Sequence, residues 1–433
     1  MEQRVPLGRV ISFRDERAGS PDELPLLSVS IHSGVQPKSD QGRADNLDNY
    51  KVCREGDIAL NRMRAFQGAL GLSPLDGVVS PDYTVMRTSE AMDPRYLTFL
   101  MRSAWFIGQM ISRIRGIGGT DSGVVRTPRI NNEDLAAIWV PLPPLDVQRR
   151  IADFLDDQVE RIDRAVELRR RQADDAQVLL ESVAHDAVTG GDARKGLRQS
   201  QWPLPWASSL PRNWGTPRIC QVARIGTGHT PSRERSDLWE HADIPWLTTT
   251  DVHRFRSDQI DAIEDTTLHI SSLGIANSAA VLHPAGTVAL SRTASAGFSI
   301  VMAVDMATSQ DYATWTCGPR LLPHFLLWCL RAMRRDLLGR LAMGSTHKTI
   351  YFPDLMSIRI PLPPLGEQEV AVNRIREAAT RSRSLKVALG TMETLLAERK
   401  RSLITAAVTG QFDVSSASQR AIAAVLAGAG GAG

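Results

Sequence analysis

The chain has 433 residues, 51 basic against 48 acidic, for a net charge of +3, with 42% hydrophobic and 23% charged residues. That length exceeds one ordinary core and implies two to three domains of a soluble globular protein. No apolar run reaches the ~20 residues of a membrane span, and the opening MEQRVPLGRVISFRDERAG has no hydrophobic signal core, so a cytoplasmic protein without a membrane partner is expected. The near-neutral charge is compatible with nucleic-acid binding without requiring it. Cys53, Cys220, Cys317 and Cys329 lack metal-ligand spacing and read as reduced thiols.

In chain order, residues 1–140 mix strand-like stretches, DIALNRM and VVSPDYTVMR, with a helical stretch, PRYLTFLMRSAWFIGQMISRI. Next comes WVPLPPLDVQ (139–148), whose prolines force an extended approach and start a new element. A proline-free segment runs from there to Gly190. A polar, then proline-rich linker covers 191–211, and a second mixed region covers 212–360, with TVALSRT as strand and LPHFLLWCLRAMRRDLLGRL as helix. RIPLPPLGEQ (359–368) opens a second proline-free segment ending at Gly410, and 411–433, closing in AGAGGAG, is expected to be disordered.

The chain is therefore a duplication. WVPLPPLDVQ and RIPLPPLGEQ stand 220 residues apart, as do SVAHDAVTG (182–190) and SLITAAVTG (402–410), with no gap between motif and ending. Upstream the offset shifts: GDIALNR (56–62) matches GTVALSR (286–292), SPDYTV (80–85) matches SQDYAT (309–314), and IGGT (117–120) matches MGST (343–346). Loop-length drift between matched elements is how duplicated domains diverge.

After each proline motif, apolar or small residues recur in alternating steps of three and four. The first series is Leu155, Val159, Ile162, Val166, Ala173, Ala176, Leu180, Val183 and Ala187, with Arg169 filling the one gap. The second is Ile375, Ala378, Ser382, Leu385, Leu389, Met392, Leu396, Leu403 and Ala406, with Arg399 breaking it. This is a coiled-coil seam. Gly190 and Gly410 sit where C-cap glycines belong. A helix over 146–189 would run roughly 65 Å, too long to bury its seam in one small domain. The expected partner is the helix of the other copy, with Leu155, Ile162, Val183, Ile375, Leu389, Leu396 and Leu403 as seam and docking candidates; packing on each helix's own domain or dimerisation is the alternative. The predicted fold is α/β (α+β): two pseudo-two-fold-related globular domains (1–140, 212–360) separated by a long antiparallel coiled-coil pair (141–190, 361–410).

Motifs for chemistry are missing. There is no GxxxxGK[ST], no glycine-rich dinucleotide loop, no nucleophile elbow, and no HExxH among the nine histidines. SPDY (80–83) lacks the asparagine and second proline of adenine methyltransferases, and its counterpart SQDY suggests a turn. No catalytic, cofactor-binding or metal-binding residue is assigned. The loops do hold side chains suited to DNA. NRMRAFQG (61–68) clusters Asn61, Arg62, Arg64 and Gln67, and arginine pairs bidentately with guanine, Asn or Gln with adenine. Thr120 in IGGT, Thr227, His229 and Arg233 in TGHTPSR, Arg292 in SRTASAG, and Ser345, Thr346, His347 and Lys348 in GSTHKT complete the candidates, suited to bases or phosphates.

These residues bear a resemblance. The repeated PLPPLxxQ with a long helix ending in VTG, GDIALNRMRAFQGALGLSPLDGVVSPDYTV (56–85) and TGHTPSR (227–233) resemble the specificity subunit of Type I restriction-modification systems, over about residues 1–410. The resemblance implies two target recognition domains reading an asymmetric, split site in double-stranded DNA. It implies helices that set the gap and dock two modification (methyltransferase) subunits. S-adenosylmethionine, ATP and magnesium would belong to those and to restriction/translocase subunits, this chain binding no cofactor and having no catalysis of its own. LPRNW (210–214) opens copy two with no counterpart in copy one, whose first strand is therefore expected to be abbreviated. A non-enzymatic coiled-coil scaffold and a stand-alone DNA-binding regulator remain the competing readings.

Overall fold

A computed structural model describes residues 3–19, 24–31, 33–38, 48–113, 129–191, 197–198, 204–207, 209–343, 348–411 and 414. Thr120, Ser345, Thr346, His347, most of the 191–211 linker and nearly all of the 411–433 tail lie outside them. The described chain forms two compact units, one of Met1–Arg169 with Thr391–Gly433, the other of Arg170–Gly390. The first unit is thus discontinuous in sequence and the second continuous, since the division cuts across both long helices.

The first unit is built on a four-stranded antiparallel sheet in the order Ile11–Arg14, Tyr83–Thr88, Ile58–Asn61, Leu70–Leu72. The apolar run of Ile58–Asn61 is buried along its whole length, as expected of a central strand. Helices Pro94–Arg102 and Ala104–Ile111 are capped by Asp93 and Ser103, whose side chains accept first-turn N–H groups. The second unit has a five-stranded sheet in the order Ala223–Thr227, Tyr312–Cys317, Val288–Ser291, Ser299–Met302, Ala262–Ile263, antiparallel except for the last pair. Helix Pro323–Ala332 contributes most of its residues to that unit's core.

The start of copy one is not abbreviated. Arg4–Pro6 pairs antiparallel with Trp139–Pro141, and Leu7 N donates to Ile138 O at 2.8 Å. Copy two repeats this: Gly215 and Arg218 bridge Leu362 and Arg359, and Ile219 N donates to Ile358 O at 2.9 Å. A short 3-10 turn and the edge strand of the sheet follow in both. LPRNW is instead an addition that braces helix ends. A Cβ on Gly190 would meet Pro211 Cγ at 2.4 Å, and Trp214 Nε1 donates to Glu367 Oε2 at 2.7 Å.

Two long helices, Leu145–Thr189 and Leu365–Val408, are the proline-free segments, each about 65 Å in length. In the first unit, Ile151, Ala152 and Leu155 share a core with Ile404, Ala407 and Val408, and Lys400 Nζ reaches both Asp163 carboxylate oxygens at 2.7 Å. In the second, Leu180, Ala184, Ala187 and Val188 share a core with Ala371, Val372, Ile375 and Ala379. There Lys386 Nζ donates to Gln177 Oε1 at 2.6 Å and Ser382 Oγ to Ala176 O at 3.3 Å. Within each unit the two helical segments therefore run antiparallel.

Of the expected seam, Leu155, Ile162, Ile375 and Leu389 are buried, while Val183, Leu396 and Leu403 are half-buried. The first helix follows its expected series. The second departs from it: Leu385 and Met392 are 44% and 46% exposed, while Lys386, next to Leu385, and Lys400, further along, reach Gln177 and Asp163 of the first helix. Lysine serves because its aliphatic stem covers apolar surface while its ammonium finds a polar partner.

Both ends of each helix are locked by the repeated motifs. Gln148 is fully buried; its Oε1 accepts Asp93 N at 2.9 Å, and its Nε2 donates to Ala91 O at 3.0 Å and Pro143 O at 2.8 Å. Gln368 does the same with Leu322 N at 2.8 Å and with Arg320 O and Pro363 O at 2.9 Å each. At the far ends, the Thr189 and Thr409 hydroxyls donate to His185 O and Thr405 O at 2.7 Å. Gly190 and Gly410 take φ of 71° and 72°, and the next N–H in each case bonds back across the turn, to Asp186 O and Ala406 O. The decapeptide and the VTG recur because one polar lock and one glycine cap are needed per helix.

One buried charge cluster holds the second unit. The Arg331 side chain is 3% exposed; it donates to Asp261 Oδ1 at 2.8 Å and Ile260 O at 2.6 Å, with Nε 3.2 Å from Asp258 Oδ1. Arg334 grips Asp258 with both terminal nitrogens, at 2.8 and 2.7 Å. Burial pulls the Arg331 pKa down, and Asp258 and Asp261 hold it up.

Candidate nucleic-acid interface

In the first unit, strand Ile58–Asn61 runs directly into a 3-10 turn, Arg62–Gln67. Asn61 makes that transition. It is 8% exposed, its Oδ1 accepts Met63 N at 3.1 Å, and its Nδ2 donates to Tyr83 OH at 3.4 Å. This is a cap, so Asn61 leaves the set of base-reading candidates. Gly68 closes the turn at φ 78° and donates to Ala65 O. Arg62 is half-held, its Nε donating to Asp82 O at 2.7 Å. Asp82 belongs to SPDY, which is a turn: Ser80 Oγ accepts Asp82 N, and Ser80 O accepts Tyr83 N. The side chains of Arg64 and Gln67 are exposed and have no hydrogen-bond or ion-pair partner among the described residues. Met63 and Phe66 are each 38% exposed beside them, over a buried Ala65.

The same place in the second unit is built differently. Arg292 Nε donates to Gln310 O at 3.0 Å, and its guanidinium lies 5.1 Å from the centre of the Phe352 ring. The Thr293 hydroxyl donates to the Asp311 carboxylate, Ala294 takes φ 55°, and Gly297 N bonds back to Ser291 O at 2.8 Å. The loop is folded down, with only Ala294 exposed over 291–298. SQDY repeats the turn of SPDY, since Ser309 Oγ accepts Asp311 N.

Thr227 and His229 flank Gly228, where a Cβ would lie 1.8 Å from Thr308 O; glycine is required for the close approach. Thr227 Oγ1 donates to Tyr312 O at 2.8 Å, and His229 N to Thr308 O at 3.0 Å, leaving its imidazole exposed. Arg233 and Lys348 are exposed. The structure thus gathers Arg62, Arg64 and Gln67 on one turn of the first unit. It gathers Thr227, His229 and Arg292 around the SQDY turn of the second.

Spacing alone did not single out Met63 and Phe66, whose exposure is the signal, nor the structural amides Gln148 and Gln368. Among the described residues no group of three His, Cys, Asp or Glu side chains is placed to hold a metal, and no helix is long and apolar enough to cross a membrane.

Residues 82–169 and 211–378, together more than half of the chain, match the family described as the Type I restriction modification DNA specificity domain. The chain is 22% identical over 161 residues to the Type I restriction enzyme MjaIX specificity subunit of Methanocaldococcus jannaschii, 37% of this chain and 36% of that protein. It is 24% identical over 177 residues to the EcoR124I/EcoR124II specificity subunit of Escherichia coli, 40% of this chain and 42% of that one. Either match spans well under half of the relative's length. Among solved structures, the HsdS subunit from Thermoanaerobacter tengcongensis shares 22% identity at a TM-score of 0.55, over 95% of this chain and 97% of that one. A chain from work on complex assembly and conformational transition of the type I R-M system shares 22% identity at a TM-score of 0.70, over 94% and 97%. At this identity, the two structural likenesses speak for the fold.

Proposed function

From a chain that belongs to the Type I restriction-modification DNA specificity family, we propose a DNA-reading subunit without chemistry of its own, working inside a modification complex. The observation that carries this is the duplication of a complete module. Each copy has a sheet with a polar turn at the same strand end, a buried glutamine that fixes its long helix, and a glycine-capped helix end. Two such modules with unlike turns suit an asymmetric, two-part site in duplex DNA. The paired helices are suited to hold the gap constant, since B-DNA repeats every ~34 Å and two reading heads must meet the same face.

Two methyltransferase subunits would dock on the helices and carry S-adenosylmethionine. Restriction/translocase subunits would add ATP and magnesium. The work of this chain is to position DNA and orient those partners. Such a complex belongs in the cytoplasm, where the DNA is.

The test is co-purification with the modification subunit of the same system, followed by binding to duplex DNA across a salt series. Complex formation and a steep loss of affinity with rising salt are expected. A stable chain that neither captures the modification subunit nor binds duplex DNA at low salt would turn the reading to a protein scaffold. Tight, specific operator binding by the chain alone would turn it to a free-standing regulator.

A further inference from the structure

We propose that the two copies read DNA with non-equivalent elements, and that copy one reads its half-site through the capped turn Arg62–Gln67, with Arg64 and Gln67 on base edges and Met63 and Phe66 against thymine methyl groups. The inference rests on the DNA-reading function proposed above and assigns its specificity within the first unit.

Four observations point to the turn. First, its shape is held from within: Asn61 caps its start, Gly68 closes its end, and Ala65 anchors its underside in the core. A rigid element loses little freedom on binding. Second, its charge is uncommitted. Arg14, Arg17, Arg54, Arg87 and Arg95 of the same unit are each matched to a carboxylate. Arg64 has no such partner among the described residues, and the turn itself contains no acidic residue.

Third, two large apolar side chains stay exposed between the polar ones, although Ala65, Ala69 and Leu70 beside them are fully buried. Arginine, glutamine and apolar groups side by side match the guanine edge, the adenine edge and the thymine methyl of a major groove. Arg62, by contrast, is held through Nε by Asp82 O and serves as a positioning residue. Fourth, the equivalent loop of copy two has none of this: Arg292 is stacked on Phe352, Thr293 is bonded to Asp311, and no large apolar side chain is exposed over 291–298. The copies share a fold here but not a surface.

The experiment co-expresses the full chain with the modification subunit of its system and maps methylated sites genome-wide, for wild type, Arg64→Ala, Gln67→Ala and Arg292→Ala. Arg64→Ala and Gln67→Ala should each relax one or two positions of a single half-site, with discrimination falling between about five- and 150-fold. The other half-site should stay intact, which also shows that the variant folds. Arg292→Ala should relax neither half-site at a base position. Unchanged motifs for both Arg64→Ala and Gln67→Ala overturn the inference and leave the proposed function standing. So does equal relaxation of both half-sites, or loss of all methylation by both variants, because exposed side chains on a locally capped turn do not carry the fold. Absence of any two-part motif with the wild-type chain overturns the proposed function and this inference with it.

Discussion

Gln148 Oε1 accepts the backbone N–H of Asp93 at 2.9 Å, tying the start of the first long helix to the residue that caps helix Pro94–Arg102. Gln368 repeats the bond on Leu322, which precedes helix Pro323–Ala332. Leucine at either position would leave a buried N–H without an acceptor and two carbonyls without a donor. Gln148→Leu and Gln368→Leu should each cost about 1–3 kcal/mol, measured by urea unfolding. A loss below about 0.5 kcal/mol, the scale of ordinary surface changes, would show that the amides are incidental.

The Arg331 cluster should be among the most sensitive points of the second unit. Asp258→Ala removes a partner of both Arg331 and Arg334 and leaves a guanidinium whose side chain is 3% exposed. Breaking a buried pair in this way costs about 3–5 kcal/mol. Arg335→Ala, at a side chain 92% exposed, should stay within about 0.5 kcal/mol of wild type. Equal effects in thermal unfolding would contradict the assignment.

Stability should fall on the acid side. Burial pushes the imidazole of His283 below its ordinary 6.5, against an opposing hydrogen bond to the Thr227 backbone, and burial lowers His324 as well. The unfolded chain then binds protons that the folded chain does not. The stabilisation is therefore complete above the unfolded pKa of 6.5 and is lost as pH falls below it. Melting temperatures from pH 8 to pH 5 should show that decline, shallower in His283→Gln. An identical slope in the variant would remove His283 from the explanation.

Spacing should follow helix length. Deleting one heptad from each long helix keeps the seam on the same face. It shortens the pair by about 10 Å, or roughly three base pairs. The gap in the methylated site should contract accordingly with both half-sites unchanged. An unaltered gap would remove the helices from that role.

Much of this was legible in the sequence, and the failures have physical causes. The duplication, both long helices and the glycine caps appear in the repeat and its period, because a seam and a helix end leave fixed residue types at fixed spacing. The first helix follows its predicted seam. The second does not at Leu385 and Met392; beside Leu385 it is Lys386 that reaches the first helix, at Gln177, and a hydropathy pattern cannot credit a lysine with burying its stem. Asn61 caps the turn, which its residue type could not foretell, because a cap and a base contact use the same amide chemistry. Whether an amide turns inward or outward depends on the strand end that carries it. Gln148 was visible as part of a repeated motif, but its three bonds reach Asp93, Ala91 and Pro143, two of them more than fifty residues away. The abbreviated start of copy one was an error of comparison: LPRNW belongs to helix bracing, not to the first strand.

The central claim is that this chain supplies the specificity of a two-part DNA modification. The direct measurement is a genome-wide map of adenine methylation in cells expressing the modification subunit with and without this chain. A split, asymmetric motif that appears only with the chain is the predicted result. No motif from a soluble, co-purifying pair, or the same motif without the chain, would contradict it.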